Sequence, residues 1–138
     1  MKRITVCAVV VAMTVCGLAQ EANVRVTVEG AVLVKGQAYK QTVDGKMVSK
    51  QPSWDPLKEK CPLDPSKAVQ LGIEKLMAGI PSATQLKLAS VSLNQVPSMT
   101  NKWYYIVTFF EKPDSSDGDS ANVIVCLDGT VPPFVNEK

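Results

Sequence analysis

One stretch of the sequence, residues 64–81, carries signals for both the start and the stop of a helix. Asp64 is a preferred N-cap residue type, and Pro65 suits the first helical turn because its φ is fixed near the helical value. Gly79, followed by Pro81, ends the pattern. Apolar residues recur at helical spacing in between, which predicts an amphipathic helix of about four turns. Its expected core-facing residues are Val69, Ile73, Leu76 and Ile80, with Gly72 beside them.

The chain on both sides of this helix has the patterns of β-strands. Residues 86–96, 102–111 and 122–128 form three strand-like runs, and the last two are apolar on both faces. Two-sided apolarity predicts that both faces of their sheet are covered, one of them by the helix. The other face is expected to be covered by the N-terminal strands, by the connector around Trp54 or by a second subunit. Residues 23–29 alternate valines with polar residues, as a half-buried strand does. The predicted fold class is therefore α+β, with one main helix packed on an antiparallel β-sheet and additional N-terminal strands.

The N-terminal β segment, residues 20–50, also contains a hairpin signal. Two short strand-like runs, residues 39–43 and 46–48, are separated by Asp44 and Gly45. Asp-Gly is a preferred pair in a two-residue type I′ turn, because both positions need a positive φ. We therefore expect a tight hairpin turn at this pair.

Residues 51–64 are predicted to form a connector between the β segment and the helix. Pro52, Pro56 and Pro62 are incompatible with a continuous helix or a central strand. Trp54 lies among them and is expected to fold back onto the core. The alternative is an exposed tryptophan that binds a partner.

The first nineteen residues have the pattern of a secretory signal peptide. Two basic residues precede the apolar run at 4–15, which is too short for a comfortable membrane span. Gly17 and Ala19 are the small residues that a signal peptidase recognises. We predict cleavage after about Ala19 and a secreted or periplasmic location. The alternatives are cleavage after Ala22, an uncleaved anchor and a lipoprotein modified at Cys16.

Removal of the signal peptide changes the charge of the protein. The full chain has 15 basic and 13 acidic residues, and loss of Lys2 and Arg3 leaves 13 of each. A neutral chain lacks the basic excess that drives binding to nucleic acid or to anionic lipid. We therefore expect neither a nucleic-acid partner nor stable membrane insertion.

The cysteines follow the same division of the chain. Cys7 and Cys16 lie within the predicted signal peptide, and the mature chain keeps Cys61 and Cys126. In an oxidising compartment these two have one possible intramolecular pairing. A Cys61–Cys126 disulfide is predicted, worth about 4 kcal/mol in the chain-entropy model. The alternative is two buried thiols that pack as small apolar groups.

The sequence has few residues arranged for chemistry. It contains no histidine, which excludes Ser-His-Asp triads, HExxH zinc sites and histidine-ligated haem within this chain. Asp114, Asp117 and Asp119 lie close together in the loop 112–121, but their spacing is not that of an EF-hand calcium site. No glycine-rich phosphate loop is present. We predict no metal, no cofactor and no catalytic residues.

Two segments of the C-terminal half carry a family resemblance. Residues 102–107 (KWYYIV) form the middle strand, and residues 125–131 (VCLDGTV) end the last strand in an Asp/Gly/Thr turn before a valine. With the preceding helix, this order resembles a PepSY-type unit over residues 66–133. The resemblance implies a helix lying across a small antiparallel sheet in a secreted or envelope protein. In some peptidase propeptides this unit inhibits the enzyme. The long loop 112–121 and the N-terminal strands depart from the family pattern.

These observations predict a single domain, residues 20–138, that acts as an exported, non-catalytic interaction module for a protein or an envelope component. The predicted binding residues are aromatic: Trp54, Trp103, Tyr104 and Tyr105. Two alternatives remain from other classes of protein. One is a histidine-free hydrolase that uses a pair of carboxylates, and the other is a carrier with a small-ligand cavity between helix and sheet.

Overall fold

A computed structural model describes residues 26–112 and 118–138, and in them six strands form one antiparallel sheet. The strands are β1 (Thr27–Val34), β2 (Gln37–Asp44), β3 (Lys87–Gln95), β4 (Trp103–Phe110), β5 (Ser120–Cys126) and β6 (Val135–Glu137). Their order across the sheet is β3-β4-β5-β1-β2-β6. The helices are α1 (Gly45–Ser49), α2 (Pro65–Gly79) and a short 3₁₀ helix at Pro81–Gln85. The predicted α+β fold class is confirmed. The predicted signal peptide, the beginning of the first predicted strand, Asp114 and Asp117 lie outside the described residues.

Helix α2 has the predicted bounds but presents a different face to the sheet. Asp64 occupies the N-cap position without making a side-chain capping bond. The buried helical residues are Ala68, Gly72 and Leu76, whereas Val69 is half-buried and Ile73 is 38% exposed. The predicted stripe is therefore wrong at Ile73. Small residues at two successive helical turns let α2 approach the sheet closely, which moves the larger Val69 and Ile73 to the flank of the helix.

The N-terminal hairpin turns at a different place from the one predicted. Val34 pairs with Gln37, so the two-residue turn consists of Lys35 and Gly36, which have φ values of 49° and 74°. Asp44 instead caps α1, because its Oδ1 atom accepts a hydrogen bond from the backbone N–H of Met47 at 2.8 Å. An Asp-Gly pair suits a helix start as well as a tight turn, since aspartate is a preferred N-cap residue.

The main hydrophobic core lies between α2 and one face of the sheet. Val107 and Phe109 of β4 and Val123 and Val125 of β5 are fully buried there. Trp54 belongs to this cluster, so the prediction that the connector tryptophan folds back onto the core is confirmed. We call this face of the sheet the helix side.

A second, smaller core lies on the opposite face of β5. Its members are Val26, Val28, Val43, Val48, Val96, Ile124 and Cys126. Ile124 and Cys126 alternate along β5 with the helix-side valines, which places them on the other face. The N-terminal strands and α1 thus cover the second apolar face, as one of the predicted arrangements requires. No helix in residues 26–112 and 118–138 is long and apolar enough to cross a membrane.

Candidate interaction surface

Two of the predicted binding residues, Trp54 and Trp103, form a pair in the core. Their rings meet edge to face, with centroids 5.5 Å apart and planes at 69°. Both the backbone and the side chain of Trp54 are hydrogen-bonded. The backbone N–H donates to the Asn101 carbonyl at 2.8 Å, and Nε1–H donates to the Glu59 carbonyl at 3.0 Å. The pair therefore attaches the connector to the start of β4. Trp54 is buried, so the alternative of an exposed binding tryptophan is wrong.

Trp103 keeps one unusual feature. Its side chain is half-buried, and its Nε1 atom is buried without a hydrogen-bond partner among the described residues. A buried donor that lacks an acceptor costs about 1–3 kcal/mol. The ring is held in place by its contact with Trp54 and by packing against the main core.

Tyr104 and Tyr105 are neighbours in β4 and point to opposite faces of the sheet. Tyr105 is buried on the helix side, and its hydroxyl donates to the Leu63 carbonyl at 2.7 Å. Burial raises the pKa of Tyr105 above its ordinary value of 10.0, and the adjacent Cys61 adds to the effect. Tyr104 is half-buried against the second core, where burial likewise raises its pKa. Tyr105 is therefore a structural residue, and Tyr104 is only partly accessible.

The two cysteines of the predicted disulfide are free thiols. Cys61 packs against the helix-side core, where its Sγ lies 3.2 Å from the Leu63 carbonyl and 3.4 Å from the Tyr105 hydroxyl. Cys126 is buried in the second core, on the other face of the sheet. The predicted bridge is wrong in this structure because the sheet itself separates the two side chains. Burial, with a smaller contribution from Asp128, raises the pKa of Cys126 to about 12.

Asp119, the acidic loop residue that the structure describes, uses both of its carboxylate oxygens inside the fold. Oδ1 accepts a hydrogen bond from the backbone N–H of Lys35 at 3.0 Å, and Oδ2 accepts one from Nε2 of Gln85 at 2.9 Å. The carboxylate thereby joins the β1–β2 turn to the 3₁₀ helix. Within residues 26–112 and 118–138, no group of three His, Cys, Asp or Glu residues could hold a metal ion.

Strand β3 is a long and accessible edge of the sheet. It forms one edge of the sheet and pairs with β4, and no described strand lies on its outer side. None of its nine residues is buried, and Lys87 at its beginning is its one charged residue. A register shift between Leu88 and Ser90 marks an irregularity near the start of the strand. β3 therefore offers a long and almost uncharged row of backbone groups at its outer edge.

The apolar residues of β3 lie on the helix side. Val91, Leu93 and Leu88 pair with Val107, Tyr105 and Phe109 of β4, and directly paired residues share a face. Their β4 partners belong to the main core. On β3 itself, however, Leu88 is 50% exposed and Val91 is 37% exposed. Helix α2 thus covers β4 and β5 and leaves the β3 part of this face open.

Leu71 of α2 lies beside Gly129, in the segment that leads to β6. Ile73, two residues further on, is on the opposite flank of the helix, which places it on the side toward β3. We define the β3 edge surface as the outer backbone of β3 together with Leu88, Val91 and Ile73. Among the residues that the structure describes, the other exposed large apolar residues are Leu33, Leu57 and Val135, which lie in other segments.

The opposite edge of the sheet is built differently. Strand β6 is three residues long, and it includes Glu137 and precedes Lys138. Short strands and charged side chains are the usual means by which proteins protect a sheet edge from pairing with another chain. These protections are present at β6 and almost absent from β3.

Comparisons of the chain with models of protein families, with curated proteins and with solved structures found no match. The resemblance to PepSY-type units is thus carried by the residues of this sequence alone.

Proposed function

We propose that this protein is an exported, PepSY-like interaction module that binds another polypeptide by adding it as a strand to the outer edge of β3. The observation that carries the proposal is the β3 edge surface: nine unburied residues in an edge strand, a single charge, and exposed Leu88 and Val91 on one face. Strand addition of this kind uses main-chain hydrogen bonds for affinity and alternate side chains for specificity.

The chemistry of the edge favours an extended, mostly uncharged partner segment. Its backbone would pair with β3, and its side chains on the helix side would lie beside Val91 and Leu88. Those on the other face would meet Ser90, Ser92 and Asn94, since alternate residues of a strand face opposite sides. A partner with alternating apolar and polar residues therefore matches the surface best.

The order of elements supports the PepSY-like part of the proposal. Helix α2 is followed along the chain by β3, β4 and β5, which are adjacent and antiparallel in the sheet. Export rests on the predicted signal peptide, and the resemblance extends the proposal to a protein or envelope component outside the cytosol, including an exported peptidase that the module inhibits.

The proposal is tested by selecting random displayed peptides, long enough to run the length of β3, against the purified exported protein. Enriched peptides are expected to alternate apolar and polar residues and to shift the amide resonances of β3. Val91→Lys should weaken their binding by about tenfold or more, because a charge would lie beside the apolar residues of the added strand.

Leu57→Lys is the matched control. Leu57 is 93% exposed in the connector, so this variant makes the same kind of change away from β3. It should leave peptide binding unchanged. Failure to enrich any peptide at a concentration at which the protein is monomeric, or equal binding by the Val91→Lys variant, would contradict the proposal.

A further inference from the structure

The pattern of residues along β3 is complementary to itself. In an antiparallel pair of β3 strands centred on Ser92, Val91 of each copy lies opposite Leu93 of the other, and Ser90 lies opposite Asn94. Apolar residues thus meet apolar residues on the helix side, and polar residues meet polar residues on the other face. Such cross-strand pairs are what stabilise an antiparallel ladder.

Charge does not oppose this pairing. Lys87, the one charged residue of β3, lies opposite Pro97, beyond the end of the partner strand, so no like charges face each other. After loss of the predicted signal peptide the chain carries 13 basic and 13 acidic residues. A protein without net charge has no long-range repulsion between its copies.

The symmetry of the pair also places the same face of each sheet on the same side of the dimer. Two identical antiparallel strands are related by a two-fold axis perpendicular to the sheet, so the helix-covered faces of both copies lie on the same side. The exposed Val91 residues of the two copies, each one position from the central Ser92, then lie close together on the helix side. Leu88, four positions from the centre, lies near each end of the paired strands. Apolar area that is open in one copy is buried by the other.

We propose that the partner of the β3 edge is a second copy of this chain, and that the exported protein is a two-fold dimer with one continuous twelve-stranded sheet. This inference rests on the proposed function, since it uses the same edge. No third copy can add at this interface, because the β3 edge of each copy is already paired with that of the other. The remaining β6 edges, short and charged, end the sheet on both sides.

Sedimentation of the exported protein over a range of concentrations tests the inference. A reversible dimer is expected, with dissociation raised about tenfold or more by Val91→Lys and unchanged by Leu57→Lys. Circular dichroism confirms that both variants remain folded.

A cross-linking pair tests the register independently of stability. Ser92→Cys places two thiols directly opposite each other at the two-fold axis, and mild oxidation should join the copies through position 92. Ser90→Cys places its thiol opposite Asn94 and should give little cross-linked dimer. A dimer that cross-links equally at both positions, or that is insensitive to Val91→Lys, overturns the inference.

The two proposals fail in different ways. A monomer at all concentrations that still binds selected peptides at β3 overturns the dimer and leaves the proposed function standing. A monomer that binds no peptide overturns both. A dimer that dissociates on addition of a β3-binding peptide supports both.

Discussion

Gly30 and Gln41 lie directly opposite each other on β1 and β2, and the Gln41 amide occupies the space that a side chain at position 30 would fill. From there the fully buried Gln41 donates from Nε2 to the Pro132 carbonyl and accepts at Oε1 from the Ile124 N–H, both at 2.8 Å. The amide therefore links β2 to β5 and to the C-terminal segment.

The hydrogen bonds of Gln41 explain how β1 contributes residues to both hydrophobic cores. β1 pairs with β5 only at Val32 and Leu33. Further along β5, the backbone N–H of Ile124 donates to the side-chain amide of Gln41 instead of to β1. Val32 packs in the main core, whereas Val28, earlier in β1, packs in the second core on the other face of β5. The strand thus turns away from β5 around Gly30, in keeping with the twist of paired strands.

Gly30→Ala should destabilise the protein strongly. The added Cβ would lie 2.6 Å from the Asn122 carbonyl oxygen, a backbone atom, and 2.9 Å from Oε1 of Gln41. The backbone oxygen cannot rotate away, so strands must move or the amide bonds must break. We expect a loss of about 2 kcal/mol or more in the free energy of unfolding, measured by urea denaturation. A loss below about 0.5 kcal/mol would contradict the close packing described here.

Gly72→Ala should have the opposite effect. Although Gly72 is buried in α2, a Cβ there would be 3.5 Å from Val107 and 3.6 Å from Val125, which is ordinary van der Waals contact. Alanine also has a helix propensity about 1 kcal/mol better than glycine. We expect urea denaturation to show a gain of up to about 1 kcal/mol. Destabilisation would mean that the helix lies closer to the sheet than the structure shows.

Local signals in the sequence predict the main helix and the three strands that follow it, but not α1, the 3₁₀ helix or β6. Asp64, Pro65 and Gly79 gave the bounds of α2, and the runs at 86–96, 102–111 and 122–128 gave three strands. The predictions that failed depended on tertiary contacts. Asp44-Gly45 fits a turn or a helix start equally well, and the rotation of α2 depends on how closely Gly72 can approach Val107.

The candidate surface could not be predicted from the sequence for a related reason. The sequence predicts a strand at residues 86–96, but the place of this strand at the edge of the sheet depends on which strands pair. Aromatic content predicts binding residues at Trp54 and Tyr105, but the structure places both in the core. The missed signal was the low charge of β3, whose exposed residues are mostly serine, alanine, leucine and valine.

The thiols of Cys61 and Cys126 should differ in reactivity. Cys126 is buried and its pKa is raised to about 12, so almost none of it is thiolate near neutral pH, whereas Cys61 is partly exposed. Titration with a thiol reagent should modify Cys61 alone in the folded protein and both residues after denaturation. Peptide mapping identifies the modified residue. Absence of free thiols in the denatured, unreduced protein would show that a disulfide forms and would contradict the structure.

Export should remove residues 1–19. The small residues Gly17 and Ala19 stand at the positions that signal peptidase recognises, so the mature chain is expected to begin at Gln20. Intact-mass measurement of the exported protein checks this. Ala19→Arg should block cleavage and leave the precursor mass, because a large charged residue replaces the small one. A mature chain that begins with a lipid-modified Cys16, or an unprocessed wild-type chain, would contradict the prediction.

The stability of the fold should decrease at alkaline pH because of Cys126. Burial, assisted by Asp128, raises the pKa of this thiol from 9.0 to about 12 in the folded chain. Above about pH 9 the unfolded chain releases the thiol proton and the folded chain retains it, so rising pH favours unfolding. The free energy of unfolding should fall by about 1.4 kcal/mol per pH unit between pH 9 and 12, and this contribution should be absent below pH 9.

Urea denaturation at about pH 8, 9 and 10 measures this slope, and Cys126→Ala is the control that removes the titrating group. The variant loses some packing in the second core at every pH, but its stability should decline less steeply above pH 9. Tyr105, whose pKa is also raised by burial, adds a loss of the same sign above its ordinary value of 10.0 and is present in both proteins. If the free energy of unfolding fell equally steeply with pH in the wild type and the variant, the Cys126 thiol would not be shielded from water. That result would contradict its burial among Val28, Val43 and Ile124 in the second core.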